Sequence, residues 1–460
     1  MNRRQFLRTT STGVAAGLVS AAGLRADETA GGALSTGVEV LHPYGRIPLS
    51  FVIDDSTCLV NMGHFCTPQF AECYPDRAEY RKPWKQWPRE IPDAFVREFG
   101  EWCAQHGVRG KYSIVPYPAC TGWLDRELPG WSKRELEDSL KLVRELMVPN
   151  WDIHPEMITH TRVIDLKTGR PFAAINPATM ENSYPQQTMS ADQLAEYLAY
   201  ALRILKNCGL PCEGVTTPGG FGNRVKSELS LAVQQAVTDV FAVEIPHYFK
   251  YVKAEAGDLT DPVMENYSRS ADGHVSLTMN VPAGTGDWFG GWQGDTASDP
   301  DRYATEDASA GRMVELIQRG QPAVMLCHWP GMYSNGTREG FRSFQRIVTS
   351  LQQRFSEQTR WMKLSEMARY QAARQLTTVA SADGGFRISA PFSCPGFTIR
   401  ISSARLSMLP VLRHKGDTAA FRAVPQFSQL SAGTLFQADD SVTLCFDLPV
   451  GESTLTLARA

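Results

Sequence analysis

The feature that most constrains this chain is an alternation that begins near residue 49, where short β-rich apolar runs take turns with amphipathic helical stretches. Such alternation is the pattern of βα units, in which each helix carries the chain back so that successive strands lie parallel. Residues 48–53 read as a strand, and 93–106, with Phe95, Phe99 and Trp102 at helical spacing, as a helix that Gly107 ends. A strand at 111–115 follows, then a helix at 133–147 with Leu136, Leu140 and Val143 on one face. Residues 150–154 are extended, and Ser190 to Gln193 form a capping box opening a helix that runs to Asn207. Further strands are predicted at 213–217, 240–244, 275–281, 323–327 and near Trp361, and further helices at 308–319 and 338–355. Seven or eight parallel strands over about 325 residues suit a (β/α) barrel, with some distortion, over residues 49–375. After Gln375 the helical period gives way to short alternating runs between Gly, Pro and Ser turns. A small antiparallel β-domain is therefore expected at 376–460, its role more structural than ligand-binding.

Composition narrows the function. With 43% hydrophobic and 21% charged residues the chain has ample material for a core, and its net charge of −3 supplies no basic excess for a nucleic acid. No long apolar run follows residue 24, which argues against a membrane span. The ten cysteines include no CxxC and are too scattered for a zinc knuckle or an iron–sulfur framework. Cys66 with Cys73, or Cys208 with Cys212, are close enough for local bridges, and buried small hydrophobes are the plainer reading. At the N-terminus, Arg3-Arg4-Gln5-Phe6-Leu7 precedes a weakly apolar stretch from Gly13 to Leu24 and small residues at Ala22 and Ala26. This resembles a twin-arginine export signal over residues 1–26, followed by a linker at 27–48, and implies the twin-arginine machinery as a partner and a periplasmic or secreted product.

In a parallel barrel the reactive groups sit where apolar runs end in polar residues. Four such places stand out. Phe51-Val52-Ile53-Asp54-Asp55 puts adjacent carboxylates at a strand end, which need a cation or proton between them and suit one metal ligand beside one base. Residues 151–160 bring His154 and His160, on different faces of any helix but able to converge through a loop after Pro155, as zinc ligands. The run Val215-Thr216-Thr217-Pro218-Gly219-Gly220 carries no GK[ST] or GxGxxG and fits a tight turn that lets substrate approach the backbone. Finally, 323–328 delivers His328 to a strand end as an acid or base, while alternation points Cys327 away.

Taken in this order, the four pieces resemble the polysaccharide deacetylases, the NodB-homology carbohydrate esterases, over residues 49–370. The resemblance implies a metal-dependent removal of N- or O-acetyl groups from a glycan. It implies Asp54 as catalytic base, His328 in Leu326-Cys327-His328 as general acid, and Asp55, His154 and His160 as ligands of a divalent metal, most often zinc. Pro218, Gly219 and Gly220, with Trp288 and Trp329, are the expected substrate contacts. Five residues separate the two histidines where the family has three, which leaves His64 or Glu156 as an alternative ligand. Ser56 stands where a glycine usually follows the aspartates, and no arginine precedes Pro218. Trp84, Trp87, Trp123 and Trp292 would suit stacking on sugar rings or packing under long loops.

Two other classes stay open on the residues alone. A glycoside hydrolase would pair Asp54 or Asp55 with Asp152, Glu156 or Glu244 and need no metal. A carbohydrate-binding protein that lost the chemistry would keep only the barrel.

Overall fold

A computed structural model describes residues 32–402, 404 and 406–457; the export signal expected at 1–26 lies outside them. The described residues open with β1 (Val38–Val40), β2 (Ile47–Asp54), α1 (Met62–Cys73), α2 (Asp93–Gln105), β3 (Gly110–Ser113), α3 (Lys133–Leu142) and β4 (Trp151–His154). It continues through α4 (Ala191–Asn207), β5 (Gly214–Thr216), α5 (Lys226–Phe241), β6 (His247–Phe249), β7 (Val263–Arg269) and β8 (Val275–Asn280). The half ends with α6 (Arg312–Gln318), β9 (Ala323–His328), α7 (Glu339–Phe355), β10 (Thr359–Trp361) and α8 (Leu364–Leu376).

The expected barrel is corrected to two main sheets that do not close on each other, with a two-stranded ribbon of Ile164–Asp165 and Arg170–Pro171 besides. The first is parallel, in the order β9-β2-β3-β4 with β10 also on β2. In the second, β5, β6 and β8 are parallel and β7 adds an antiparallel edge to β8. One seam holds a single bridge, Glu156 to Thr216, and the other a backbone bond from Gly284 to the Val324 carbonyl at 2.8 Å. Ladders stop at both seams because the chain leaves extended geometry there, at Pro155 and after Asn280.

Side-chain alternation sorts the first sheet into two faces. Phe51, Ile53, Tyr112, Trp151, Ile153, Met325 and Cys327 share one core with Phe95 and Phe99 of α2 and Phe344 of α7. Phe51 stacks on Phe344 at 4.5 Å between ring centres. Val52, Val324 and Leu326 turn the other way and meet Phe249, Leu277 and Met279 of the second sheet. The same face carries polar residues, Lys111, Asp152 and His154, all buried. The α3 helix starts on a capping box, Ser132 with Glu135, and runs into a π-turn at Val143–Met147, so the helix predicted to 147 changes pitch in its last turn. The strand predicted at 240–244 is instead the end of α5 and a turn, and the strand lies at β6.

Beyond α8, the described residues form nine strands: β11 (Thr378–Ala382), β12 (Gly385–Ala390), β13 (Cys394–Ser402), β14 (Val411–His414), β15 (Asp417–Ala420), β16 (Arg422–Ala423), β17 (Thr434–Gln437), β18 (Ser441–Leu448) and β19 (Gly451–Thr456). They form two sheets, β11-β12-β19-β14-β15 and β1-β13-β18-β17-β16. The first strand among the described residues thus belongs to the last unit, since β1, inside the stretch read as a linker, pairs antiparallel with β13. Apolar residues of both sheets and of α8 join one core with the inward face of the parallel sheets. All ten cysteines are free and eight are buried, so the bridges weighed for 66/73 and 208/212 do not form. No helix of the described residues is long and apolar enough to cross a membrane.

Candidate active site

The polar strand ends collect at one end of the parallel sheets. Asp54 closes β2 and is a register partner of His328, which closes β9. Asp55 follows with a φ of 59°, a left-handed conformation that costs a non-glycine residue on the order of 1 kcal/mol. That turn cancels the alternation of an extended strand, and both aspartates act on His328. Met157 and His160 in the loop after β4 also have positive φ, 55° and 65°. Strained backbone of this kind persists only where its surroundings fix it. Here the fixing residue is Glu181, whose carboxylate accepts backbone N–H bonds from Ile158, Thr159 and His160 and a hydroxyl bond from Tyr197. Burial pushes the Glu181 carboxyl up to about 7, against the pull of those donors.

Three groups converge at the mouth. His160 Nε2 lies 2.6 Å from Asp55 Oδ1 and 3.4 Å from Glu156 Oε1, while Glu156 Oε2 accepts the Asp55 N–H at 2.8 Å. Burial opposes a charge on His160, but the Asp55 and Glu156 carboxylates outweigh it and raise the imidazole well above its ordinary value. The same burial opposes ionised Glu156, and His160 outweighs it, holding that carboxyl down to about 2. The close Asp55–His160 contact is not aligned as a hydrogen bond, and Asp55 Oδ1 has no other hydrogen-bond partner among the described residues. Two carboxylates and one imidazole whose ligand atoms lie within 4.8 Å of one another are a donor set that suits a divalent cation. The set is Asp55, Glu156 and His160; it differs from the expected Asp55, His154 and His160.

His154 lies elsewhere. As the inward residue closing β4, it points its Nε2 at His247 Nε2, 2.9 Å away, with Asp152 Oδ2 3.7 Å from His247 Nε2. Burial keeps both imidazoles uncharged at neutral pH, His154 well below its ordinary value and His247 at about 4. Lys111, on β3, reaches Asp54 Oδ1 at 2.6 Å, the Ile53 carbonyl and Ser113 Oγ, so the expected base carries a buried ammonium as counter-charge.

His328 remains accessible, its side chain 22% exposed, and its Nδ1 meets Asp287 Oδ2 at 2.7 Å. Burial lowers its proton affinity, but Asp287, Asp55 and Asp54 together raise it to about 9. His328 is therefore protonated at neutral pH beside two aspartates. Phe70 packs edge-on to His160 at 6.4 Å and to Trp292 at 5.5 Å, and Tyr80 continues this aromatic wall.

The expected substrate contacts fare unevenly. Trp329 is 0% exposed, packed between Phe95, Phe99 and Tyr112, and is a core residue. Trp288 has the Arg302 guanidinium over its ring at 4.1 Å. Pro218 and Gly220 are buried, Gly219 is exposed, and the Gly220 N–H donates to the Asn182 carbonyl beside Glu181. His64 is held by the Trp87 carbonyl at 3.0 Å, outside both clusters. Glu244 pairs with Arg369 and belongs to neither. Lys111, Glu181 and His247 escaped the sequence reading, and Glu156 entered it only as an alternative. The signal for Glu156 was its spacing of four from His160, and for Lys111 its inward phase on a strand ending at Ser113.

No family model matches the chain and no curated protein matches it. Among solved structures it is similar to a 4-alpha-glucanotransferase from Thermococcus litoralis, with 12% identity, 70% of this chain covered and a TM-score of 0.34. This chain spans 37% of that enzyme's length. An Anoxybacillus alpha-amylase described as a new glycosyl hydrolase subclass matches with 8% identity, 91% of this chain, 99% of its own and a TM-score of 0.27. The catalytic domain of GH30 xylanase C from Talaromyces cellulolyticus matches with 10% identity, 92% of this chain, 99% of its own and a TM-score of 0.26. The expected membership of the polysaccharide deacetylases, and the acetyl-removing activity that came with it, is corrected: no family model supports either.

Proposed function

We propose that the chain is a hydrolase that cleaves a glycosidic bond, with the mouth of the parallel sheets as its active site. The observation that supports this reading best is His328, its Nδ1 2.7 Å from Asp287 Oδ2, beside the Asp54 and Asp55 carboxylates on the neighbouring strand. Hydrolysis of an acetal needs an acid for the leaving oxygen and a base for the attacking water, the roles assigned here to His328 and Asp54. His328 gives its proton to the leaving sugar oxygen as the C–O bond breaks; water adds to the anomeric carbon and loses its proton to Asp54. Lys111 balances the Asp54 charge and fixes its position. Half-buried Trp292, backed by the buried Phe70 and Tyr80 rings, offers an apolar face on which a sugar ring stacks.

Asp55, Glu156 and His160 fit a divalent cation, zinc among them, by donor type and by the unaligned Asp55 oxygen. A bound cation would acidify a water at that point. We also place the mature chain outside the cytoplasm on the strength of Arg3-Arg4 and the weakly apolar stretch that follows, a reading that cell fractionation tests.

The activity test is new reducing ends released from a panel of α- and β-linked glucans, xylans and aryl glycosides. Release by the wild type, reduced about 100-fold or more in His328→Gln and Asp54→Asn, is the expected result. A folded wild type that cleaves nothing on the panel, or variants as active as wild type, overturns the proposal.

A further inference from the structure

We propose a second divalent-cation site, of zinc type, formed by Asp152, His154 and His247 beneath the mouth and separate from Asp55, Glu156 and His160. All three residues are buried, and one ligand atom from each lies within 4.8 Å of the others. The Nε2–Nε2 separation of 2.9 Å and the Nε2–Oδ2 separation of 3.7 Å bracket the ~3.3 Å between ligand atoms on a tetrahedral zinc shell.

The surroundings aim these atoms inward. His154 Nδ1 is 3.3 Å from Thr216 Oγ1, a contact that fixes the ring and leaves Nε2 free to ligate. Asp152 accepts from the Ser365 hydroxyl at 2.8 Å and from the Ser365 N–H at 2.7 Å, so its carboxylate is oriented from the N-terminus of α8. Gly214 leaves the space that the ring occupies, since a Cβ there would fall 2.7 Å from His154 Nε2. Lys111, the nearest cation, is already matched by Asp54 at 2.6 Å.

Without a cation, the two Nε2 atoms share one proton. With one, the set is two imidazoles and a carboxylate, all buried. That is a cross-link between β4 and β6, joining the two sheets beside a seam that holds a single bridge.

The two sites differ in a countable way: the mouth supplies one imidazole, the buried set two. The test uses the full-length mature protein, stripped with chelator and reloaded with zinc or cobalt, in wild type and in Asp55→Ala/His160→Ala. The proposal expects the double variant to keep about one ion per chain by elemental analysis, with X-ray absorption fine structure giving two imidazoles per zinc. It further expects His247→Gln, added to that variant, to lower occupancy about tenfold or more. A cooperatively folded double variant that binds no ion, or a bound zinc with one imidazole or none, overturns it. Should the His247→Gln chain fail to fold, the double variant alone decides. Failure of the glycan-cleavage assays leaves this ion count untouched, so the two proposals stand or fall separately.

Discussion

At the scale of single residues, the site turns on a histidine whose proton is held by its neighbours. The His328 imidazole is raised from 6.5 to about 9, so its pairing with Asp287 stabilises the fold fully below about 6.5 and that contribution is lost as pH rises through about 9. If His328 is the acid, cleavage falls on the alkaline side near pH 9. Replacing Asp287→Asn removes one carboxylate and moves that limb toward the ordinary imidazole value of about 6.5; a pH–rate profile with an unmoved alkaline limb would count against the pairing. His328, Asp54 and Asp55 were legible in the sequence because each ends an apolar run. Trp329 was misread for a physical reason. It is the first residue after β9, and a chain turning into the helical segment Trp329–Tyr333 swings its side chain under the strand ends, not over them.

At the scale of elements, the loop between β4 and its seam carries much of the site, and its shape was not legible. Spacing alone allowed His154 and His160 to converge, but His154 is still in the strand, facing inward, and His160 is set by three backbone bonds to Glu181. Glu181 sits twenty-one residues beyond His160, in a short turn with no periodic signal. Glu181→Ala leaves three buried N–H groups without partners, a loss on the order of 3 kcal/mol in urea unfolding, and disorders His160. Glu181→Gln keeps acceptor capacity and is expected to lose less; equal losses in both would argue that the loop holds itself. The parallel order β9-β2-β3-β4 follows from the alternation, whereas β7 does not, because an antiparallel edge strand interrupts the βα rhythm. At Gly214, Gly214→Ala drives a Cβ to 2.5 Å from the His247 carbonyl and 2.7 Å from His154 Nε2. A destabilisation of about 2 kcal/mol is expected, read as a lower midpoint in denaturant.

At the scale of the molecule, the β-domain covers apolar surface of the parallel sheets. Val379, Phe397 and Leu455 share a core with Leu277 and Val324. Cutting the chain after Gln375 would expose that face, and the fragment is expected to aggregate or to bind a hydrophobic dye without a cooperative thermal transition. A soluble fragment melting like the full chain would show instead that the two units are independent. The composition announced a separate β-rich unit but not its first strand. Val38-Glu39-Val40 is three residues long, and a strand so short is specified only by its partner, β13. Glu39 and Arg400 pair across that contact although 361 positions separate them along the chain. A ribosome must therefore make the 361 positions that lead from Glu39 to Arg400 before this strand can find its partner, so the pairing waits on synthesis of β13.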